Sequence, residues 1–540
     1  MSEVNSRRPR AGFAVLVAAG ILLSRLAGLV RERAFAHYLG NSAAAGAFKA
    51  ALKIPNFLQN LLGEGVLSAS FIPVYARLLA EGDEEMAGRV AGVIFALLAL
   101  VVGGVVLVCV ILTPWIIDLI APGFTGDVRL LTIHIVQILF PATGLLVLFA
   151  WCLGILNSHR KFFLSYVAPV FWNAAMIATL IFFGSRMTQS RLAVALAWGT
   201  VVGSALQFGI LVPFVLRHAP RIRVSLQTAL EPVREVIRAF VPVVIGRGVV
   251  QLSGYIDQVI ASYLGTAAVA GLAYAQTIYF LPVSLFGMSV AAAELPQMSG
   301  TLGAEEEVSA SLRRRLERGL RQIAFFVVPS AVAFIFIGRV LVAALYETGQ
   351  FRGDDTLYVW YILIGSTVGI VAVTLGRLYS SAFYALRDPK TPLRFAMVRV
   401  TLTAVLGLLF AFPLRPYIVE AIRFAHLRVP RLAEGERIFG AIGLTASAGM
   451  AGWIEFALLR RALARRIGAV RLAPTFLGRL WASAVAAAIV AVALDLFLGP
   501  HNHLIQAVLV AGTFGAIYFA AAIAVGLPEA MATLSRFTRR

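Results

Sequence analysis

The sequence predicts an all-α polytopic membrane protein with 14 transmembrane helices: two pseudo-symmetric six-helix bundles around a central cavity, followed by two C-terminal helices. Three observations lead there. The 540-residue chain is 60% hydrophobic and only 14% charged, with a mean hydropathy of +0.85, too apolar for a chain of this length whose surface must be wet. Apolar windows long enough to cross a hydrocarbon core of roughly 30 Å as helix recur from end to end. A short motif also repeats at half-chain distance.

The windows run over 13–38, 46–77, 88–113, 129–157, 162–184 and 192–215, then 239–263, 267–299, 322–345, 356–385, 394–412 and 438–460, and finally 480–498 and 504–527. Apolar sequence after Arg7, Arg8 and Arg10 could imitate a secretory leader. It continues into Arg25 and Arg31 without a short apolar region and processing site, so a retained first span is expected. With Arg7 inside the cell the spans alternate, both termini are cytoplasmic, and most of the 47 Lys and Arg fall in cytoplasmic connections. That is the positive-inside asymmetry. The 413–437 loop disagrees, with Arg415, Arg423, Arg428, Arg431 and Arg437 on the outer side. A short interfacial helix near 417–429 is expected, because that stretch is too short and too charged to cross.

Tyr38-Leu39-Gly40 followed by Ala45-Gly46 returns as Tyr263-Leu264-Gly265 followed by Ala270-Gly271. Six spans per repeat give both halves the same orientation. The expected divisions are an N-terminal lobe 1–215, a cytoplasmic amphipathic linker 216–238, a C-terminal lobe 239–460, and a basic linker with helices 13 and 14 over 461–540.

The net charge of +20 is spread in clusters between apolar runs, not along one soluble face, which argues against nucleic acid and for anionic lipid headgroups. Cys109 and Cys152 each sit in an apolar run, so no disulfide framework is expected. A phosphate loop is absent from the sequence, and Gly63-Glu64-Gly65 is too short to be one. Ser and His are too scattered for a triad, His134 reads as a packed or cavity-lining residue, and His501 with His503 is weak evidence for a metal. A non-enzymatic carrier without cofactor or metal is expected, driven by a Na+ or H+ gradient or by the membrane potential, which is worth about 2.3 kcal/mol per charge per 100 mV.

Charges inside the first spans carry the functional argument. Arg25, Arg31, Glu32, Arg33, Lys49 and Lys53 lie where a lipid-facing helix would have none. Burying such groups alone costs several kcal/mol each, so they need water or partners. At 100° per residue Glu32 is nearly in line with Arg25, and Arg31 is about a third of a turn away. Lys49 and Lys53 share a face, and Glu64 follows in nearly the same direction. An excess of cations suits a diphosphate or similar polyanion, for which Arg offers a planar fork and Lys a point charge. The competing expectation is structural pairing, Arg25 with Glu32 and Lys53 with Glu64, with Arg33 and Lys49 reaching the interface. Arg377 adds a cation from the other half. Arg247 and Asp257 are further cavity candidates, and Asp257 could couple an ion.

Several motifs resemble those of the MurJ/MviN family of bacterial lipid II flippases, within the multidrug/oligosaccharidyl-lipid/polysaccharide exporter superfamily. They are Ser24-Arg25 with Gly28 and Arg31-Glu32; Phe48 through Lys53-Ile54-Pro55-Asn56; Gly63-Glu64-Gly65; Pro114-Trp115; Ala121-Pro122-Gly123-Phe124; Gly154-Ile155-Leu156-Asn157; Ala168-Pro169 with Asn173; and Phe383-Tyr384 before Arg387-Asp388-Pro389-Lys390-Thr391-Pro392. The resemblance covers the first eleven spans in order. It implies alternating access in the bacterial cytoplasmic membrane. The undecaprenyl tail stays in lipid while the diphosphate and disaccharide-pentapeptide cross, with Arg25, Arg31, Lys53, Glu64 and Arg377 binding substrate. A monomer is expected because a two-lobed carrier can enclose its own pathway, and a complex with cell-wall synthesis enzymes stays open. The chain departs from the family at Gln59 and Asn60, where arginine is usual, at Gln276, Thr277 and Phe280, where charges are usual, and at Gly46, where an acid is common. These departures keep two alternatives open: a carrier of another polyprenyl-diphosphate-linked saccharide, and a non-transporting envelope-assembly scaffold. A small-solute exporter would not need so cationic a cavity.

Overall fold

The computed structural model describes residues 11–299, 305–499 and 502–538, and among them regular structure is helical throughout. The chain forms two compact units, Met1–Thr266 and Ala267–Arg540.

In the first unit the helices are α1 (Ala11–Leu39), α2 (Ala43–Leu62), α3 (Glu64–Ala80), α4 (Glu84–Ile120), α5 (Gly126–Ser158), α6 (Phe162–Phe183), α7 (Gln189–His218) and α8 (Glu231–Leu264). α2 starts on Ser42, whose side chain accepts from the Ala45 amide, and α4 on Asp83, which accepts from Met86 N at 2.9 Å. The expected 46–77 span is two helices broken at Gly63. A Cβ there would strike the Gln59 carbonyl, which accepts the Gly63 amide at 2.8 Å. Leu67, Phe71 and Tyr75 of α3, Val90 and Ile94 of α4, and Cys152 and Leu156 of α5 fill a common core. By packing, α8 belongs here, against α2, α3 and α4, although in the repeat it is the counterpart of α1.

The second unit runs α9 (Thr266–Pro282), a π-helical turn Val283–Met288, α10 (Ser289–Ser299), α11 (Glu305–Phe336), α12 (Gly338–Tyr346), α13 (Gly353–Ala385), α14 (Lys390–Ala411), α15 (Arg415–Phe424), a 3-10 turn Gly435–Phe439, α16 (Gly440–Ile467), α17 (Pro474–Leu498), α18 (His503–Ala524) and α19 (Pro528–Thr538). α13 packs along α16, and α16 along α14. Phe325 and Val328 of α11, Leu480 and Ala484 of α17, and Tyr518 of α18 form a separate core, in which the Tyr518 hydroxyl donates to the Phe325 carbonyl.

Ten helices among the described residues are long and apolar enough to cross a membrane. The other four expected windows, 13–38, 46–77, 162–184 and 239–263, also fall on helices: α1, the α2–α3 pair, α6 and α8. The repeated Tyr-Leu-Gly triplets have one structural job. Leu39 ends α1 and Leu264 ends α8, and the following Gly40 (φ 58°) and Gly265 (φ 123°) take the positive φ that a Cβ disfavours. Gly46 and Gly271 are both at contact limits; a Cβ would strike Thr266 in the first case and come within 2.7 Å of Tyr358 in the second.

The 413–437 loop does contain a helix, α15, with Val419 and Ile422 buried and Tyr417 and Phe424 exposed. Part of its positive charge is compensated by carboxylates of the loop itself and of α13. Arg423 pairs with Glu436 at 2.9 Å and Arg428 with Asp354 at 3.0 Å, and Tyr361 donates to the Arg428 carbonyl at 2.8 Å. The Glu434 carboxylate accepts the Ala267 amide, at 3.3 and 3.2 Å to its two oxygens, and so caps the first turn of α9.

Candidate functional site

Within the first unit, α1, α2 and α6 bring five side chains to one place. Glu32 accepts from Arg31 Nη2 at 2.7 Å through one oxygen and from Lys49 Nζ at 2.6 Å through the other. Arg31 Nη1 donates to Asn173 Oδ1 at 3.0 Å, and its guanidinium lies 4.9 Å from the Trp172 ring centroid. Asn173 is held in turn by donating from Nδ2 to the Pro169 carbonyl at 2.9 Å. Lys49 lies 4.3 Å above the Phe35 ring, and Phe35 packs on Phe48. Glu32, Lys49 and Asn173 are 6%, 9% and 5% exposed, so this is a buried polar site in an apolar unit. Two cations around one carboxylate leave it one positive charge in excess.

Arg31 spends two of its five N–H donors on Glu32 and Asn173, which leaves donors for an incoming oxyanion. Neighbouring residues 31 and 32 point about 100° apart on the helix, yet their long side chains meet, while Glu32 also reaches Lys49 of α2 and Arg31 also reaches Asn173 of α6. Arg25 is exposed on a stretch of α1 that also exposes Leu22, Leu23 and Leu26.

Farther along α2, Lys53 is half-buried, its carbonyl accepts the Tyr255 hydroxyl of α8 at 2.9 Å, and the Asp257 charge acts on its ammonium. Tyr255 packs edge-on against Phe57 with ring centroids 5.5 Å apart. Glu64 opens α3 on a different surface. With Gln59, Asn60 and Ser68 it lines a cavity of about 350 Å³ closed by Leu146, Phe149 and Leu153 of α5. Gln59 and Asn60, where the resemblance leads one to expect arginine, therefore face a cavity whose lining carries no cation. The side chain of Arg247 lies outside the described residues.

The second unit has its own polar cluster. Arg377 of α13 is half-buried, its Nε buried without a hydrogen-bond partner, and it interacts electrostatically with Tyr279 of α9, Arg399 of α14 and Glu455 of α16. Arg399 pairs with Glu455 at 3.3 Å. Of the departed positions, Thr277 donates back to the Ala273 carbonyl at 3.0 Å, Gln276 is half-buried and Phe280 is 49% exposed.

Sequence reasoning missed Trp172, Tyr255, Tyr279, Arg399 and Glu455, and gave Asn173 no role beyond its motif. Arg399 and Glu455 carried a usable signal, since opposite charges in two apolar windows ask for each other. Among the described residues no group of His, Cys, Asp and Glu could hold a metal ion.

A family model described as lipid II flippase MurJ matches residues 35–422. The probable lipid II flippase MurJ of Rhizobium tropici is 32% identical over 410 residues, 74% of this chain and 75% of the relative. That of Haemophilus influenzae is 28% identical over 457 residues, 82% and 84% of the two chains. The lipid II flippase MurJ of Burkholderia cenocepacia is 30% identical over 461 residues, 84% of each. A solved lipid II flippase MurJ in an inward closed conformation superposes with a TM-score of 0.74 at 21% identity, over 94% of this chain and 98% of the other. An inward-facing multidrug resistance MATE family transporter of the MOP superfamily superposes at 0.61 and 18% identity, over 84% and 98%. These two likenesses carry the fold. With the family model over most of the chain and relatives matched over most of theirs, the chain belongs to the lipid II flippase MurJ family.

Proposed function

We propose that this protein carries lipid II from the cytoplasmic to the outer leaflet of the bacterial inner membrane, by alternating access and without covalent chemistry. The observation that carries the reading is the buried Arg31–Glu32–Lys49–Asn173 cluster, with its excess positive charge, in a chain of this family. Glu32 acts as a resident anion: it satisfies both cations when no substrate is present, and a diphosphate competes with it for Arg31 and Lys49. Such exchange keeps the site from holding cations bare in an apolar surround, which would be costly. Lys53, Arg25, Arg377 and Glu64 are assigned to the same path, and Asp257 to balancing Lys53. The undecaprenyl tail remains in lipid. Fourteen spans with both termini cytoplasmic follow from the charge asymmetry, and an ion gradient or the membrane potential drives the cycle.

The cation-free cavity at Gln59, Asn60 and Glu64 favours a second reading, a carrier of a different polyprenyl-diphosphate saccharide whose headgroup is less acidic there. Complementation separates the two. In a host depleted of its own lipid II flippase, this gene restores growth under the first reading. Failure with verified insertion, together with transport of another lipid-linked glycan in vesicles, establishes the second.

A further inference from the structure

Away from the sites above, α11 and α19 of the second unit line a cavity of about 780 Å³. Its walls are ordered by polarity. Arg314, Arg318 and Arg321 stand on α11 at spacings of four and three, one helix face, and the first two are exposed while Arg321 is half-buried. One turn deeper the same face gives Phe325 and Phe326, and α11 carries no further charge from there to its end at Phe336. Phe325 is fully buried, and Phe326 stacks on Phe286 with centroids 4.3 Å apart. A cationic mouth above an aromatic floor is the order of groups in an amphiphile lying as a bilayer lipid lies.

The charges also fit. Arg314, Arg318 and Arg321 against Glu317 and Glu529 leave one positive charge over. Arg321 is braced across the Phe476 ring of α17 at 4.4 Å, and its Nε donates to Glu529 Oε1 in the first turn of α19 at 2.5 Å. The other carboxylate oxygen, Glu529 Oε2, is buried without a hydrogen-bond partner. Glu529 thus holds Arg321 through one oxygen only, its other oxygen short of a donor, and a phosphate able to reach Arg314, Arg318 and Arg321 together would compete with it.

We propose that this cavity is a binding site for an anionic glycerophospholipid, with the phosphate on Arg314, Arg318 and Arg321 and the upper acyl chain on Phe325 and Phe326. Glu529 holds Arg321 when the lipid is absent and yields it when the lipid arrives. This site is separate from the proposed transport path and stands or falls without it.

The test is native mass spectrometry of the full chain in detergent, titrated with phosphatidylglycerol or phosphatidylcholine, with inorganic phosphate as competitor. Phosphatidylglycerol should bind in preference. R314Q/R318Q, at exposed positions, should weaken it by about five-fold per arginine. E529Q, which removes the resident anion and keeps the side chain's shape, should strengthen it. R460Q/R461Q, two exposed arginines elsewhere on α16, should leave it unchanged. Equal binding of the two lipids, an equal loss in R460Q/R461Q, or weaker binding in E529Q overturns the proposal. Displacement by inorganic phosphate at the lipid's own concentration would make it a free-phosphate site and overturn the lipid assignment.

Discussion

Replacing Glu32 with Ala should destabilise the first unit far more than removing either of its partners' contacts singly. Both carboxylate oxygens are in use, at 2.7 Å to Arg31 and 2.6 Å to Lys49. At an effective dielectric of 20 each pair is worth roughly 6 kcal/mol before desolvation is subtracted. Removing the shared anion takes from Lys49, which is 9% exposed, its bonded counter-charge and leaves it beside a second cation. Arg31 keeps Asn173 and Trp172, and Lys49 keeps the face of Phe35. Stranding one buried partner costs about 3–5 kcal/mol, whereas replacing a whole buried pair with apolar groups of similar volume is often neutral. The E32A variant should therefore lose about 3–5 kcal/mol of unfolding free energy in mixed-micelle denaturant titration, and E32Q/K49M should recover most of it. A loss under about 1 kcal/mol for E32A, or no recovery in the double variant, would show that the cluster is hydrated and that Glu32 is not the resident anion of a dry site.

Arg31→Ala should abolish lipid II flipping in reconstituted vesicles while the protein still inserts and folds, because Lys49 keeps its bond to Glu32; near-normal flipping would remove Arg31 from the path. Gln59→Arg should be tolerated and should raise flipping if the cavity beside Glu64 is a charge-depleted form of the family's site, and loss of activity would point to a differently shaped headgroup. Gly46→Ala forces a Cβ into Thr266 and should cost about 1–3 kcal/mol, read as a lower unfolding midpoint. His159, beyond the end of α5, is bonded to the Tyr75 hydroxyl at 3.1 Å, and burial foremost, then the neighbouring His218, lowers its pKa. The unfolded chain binds that proton more readily than the folded one, so stability should fall as pH drops below about 6.5. The slope should shrink in His159→Gln; an unchanged slope would assign it to other groups.

Much of the helical plan was written in the sequence, because a membrane-crossing helix needs only local information: length and apolarity. Each expected window lands on a helix or a broken pair of helices. The breaks were harder to see. Gly63 divides 46–77, a π-helical turn interrupts 267–299, and α11 gives way to α12 at Ile337 inside 322–345. Each depends on what packs alongside as well as on the residues themselves. For the site, the charges of α1 and α2 could be singled out as needing partners, yet the partners could not be named from one helix's rotation. Glu32 finds Lys49 17 residues away and Arg31 finds Asn173 142 residues away. Those meetings are products of helix packing, which periodicity along a single helix does not encode. The same holds for Lys53: its opposite charge is Asp257 on α8, while Glu64, nearly in line with it by rotation, faces another cavity.

The Glu434 carboxylate on the Ala267 amide gives the connection between α15 and α16 a grip on the opening turn of α9. A nick or a bulky insertion between Phe424 and Glu434 would spare every apolar segment and still let that turn fray. A binder raised against this strap would thus act as a brake on the protein with no need to reach the buried charges.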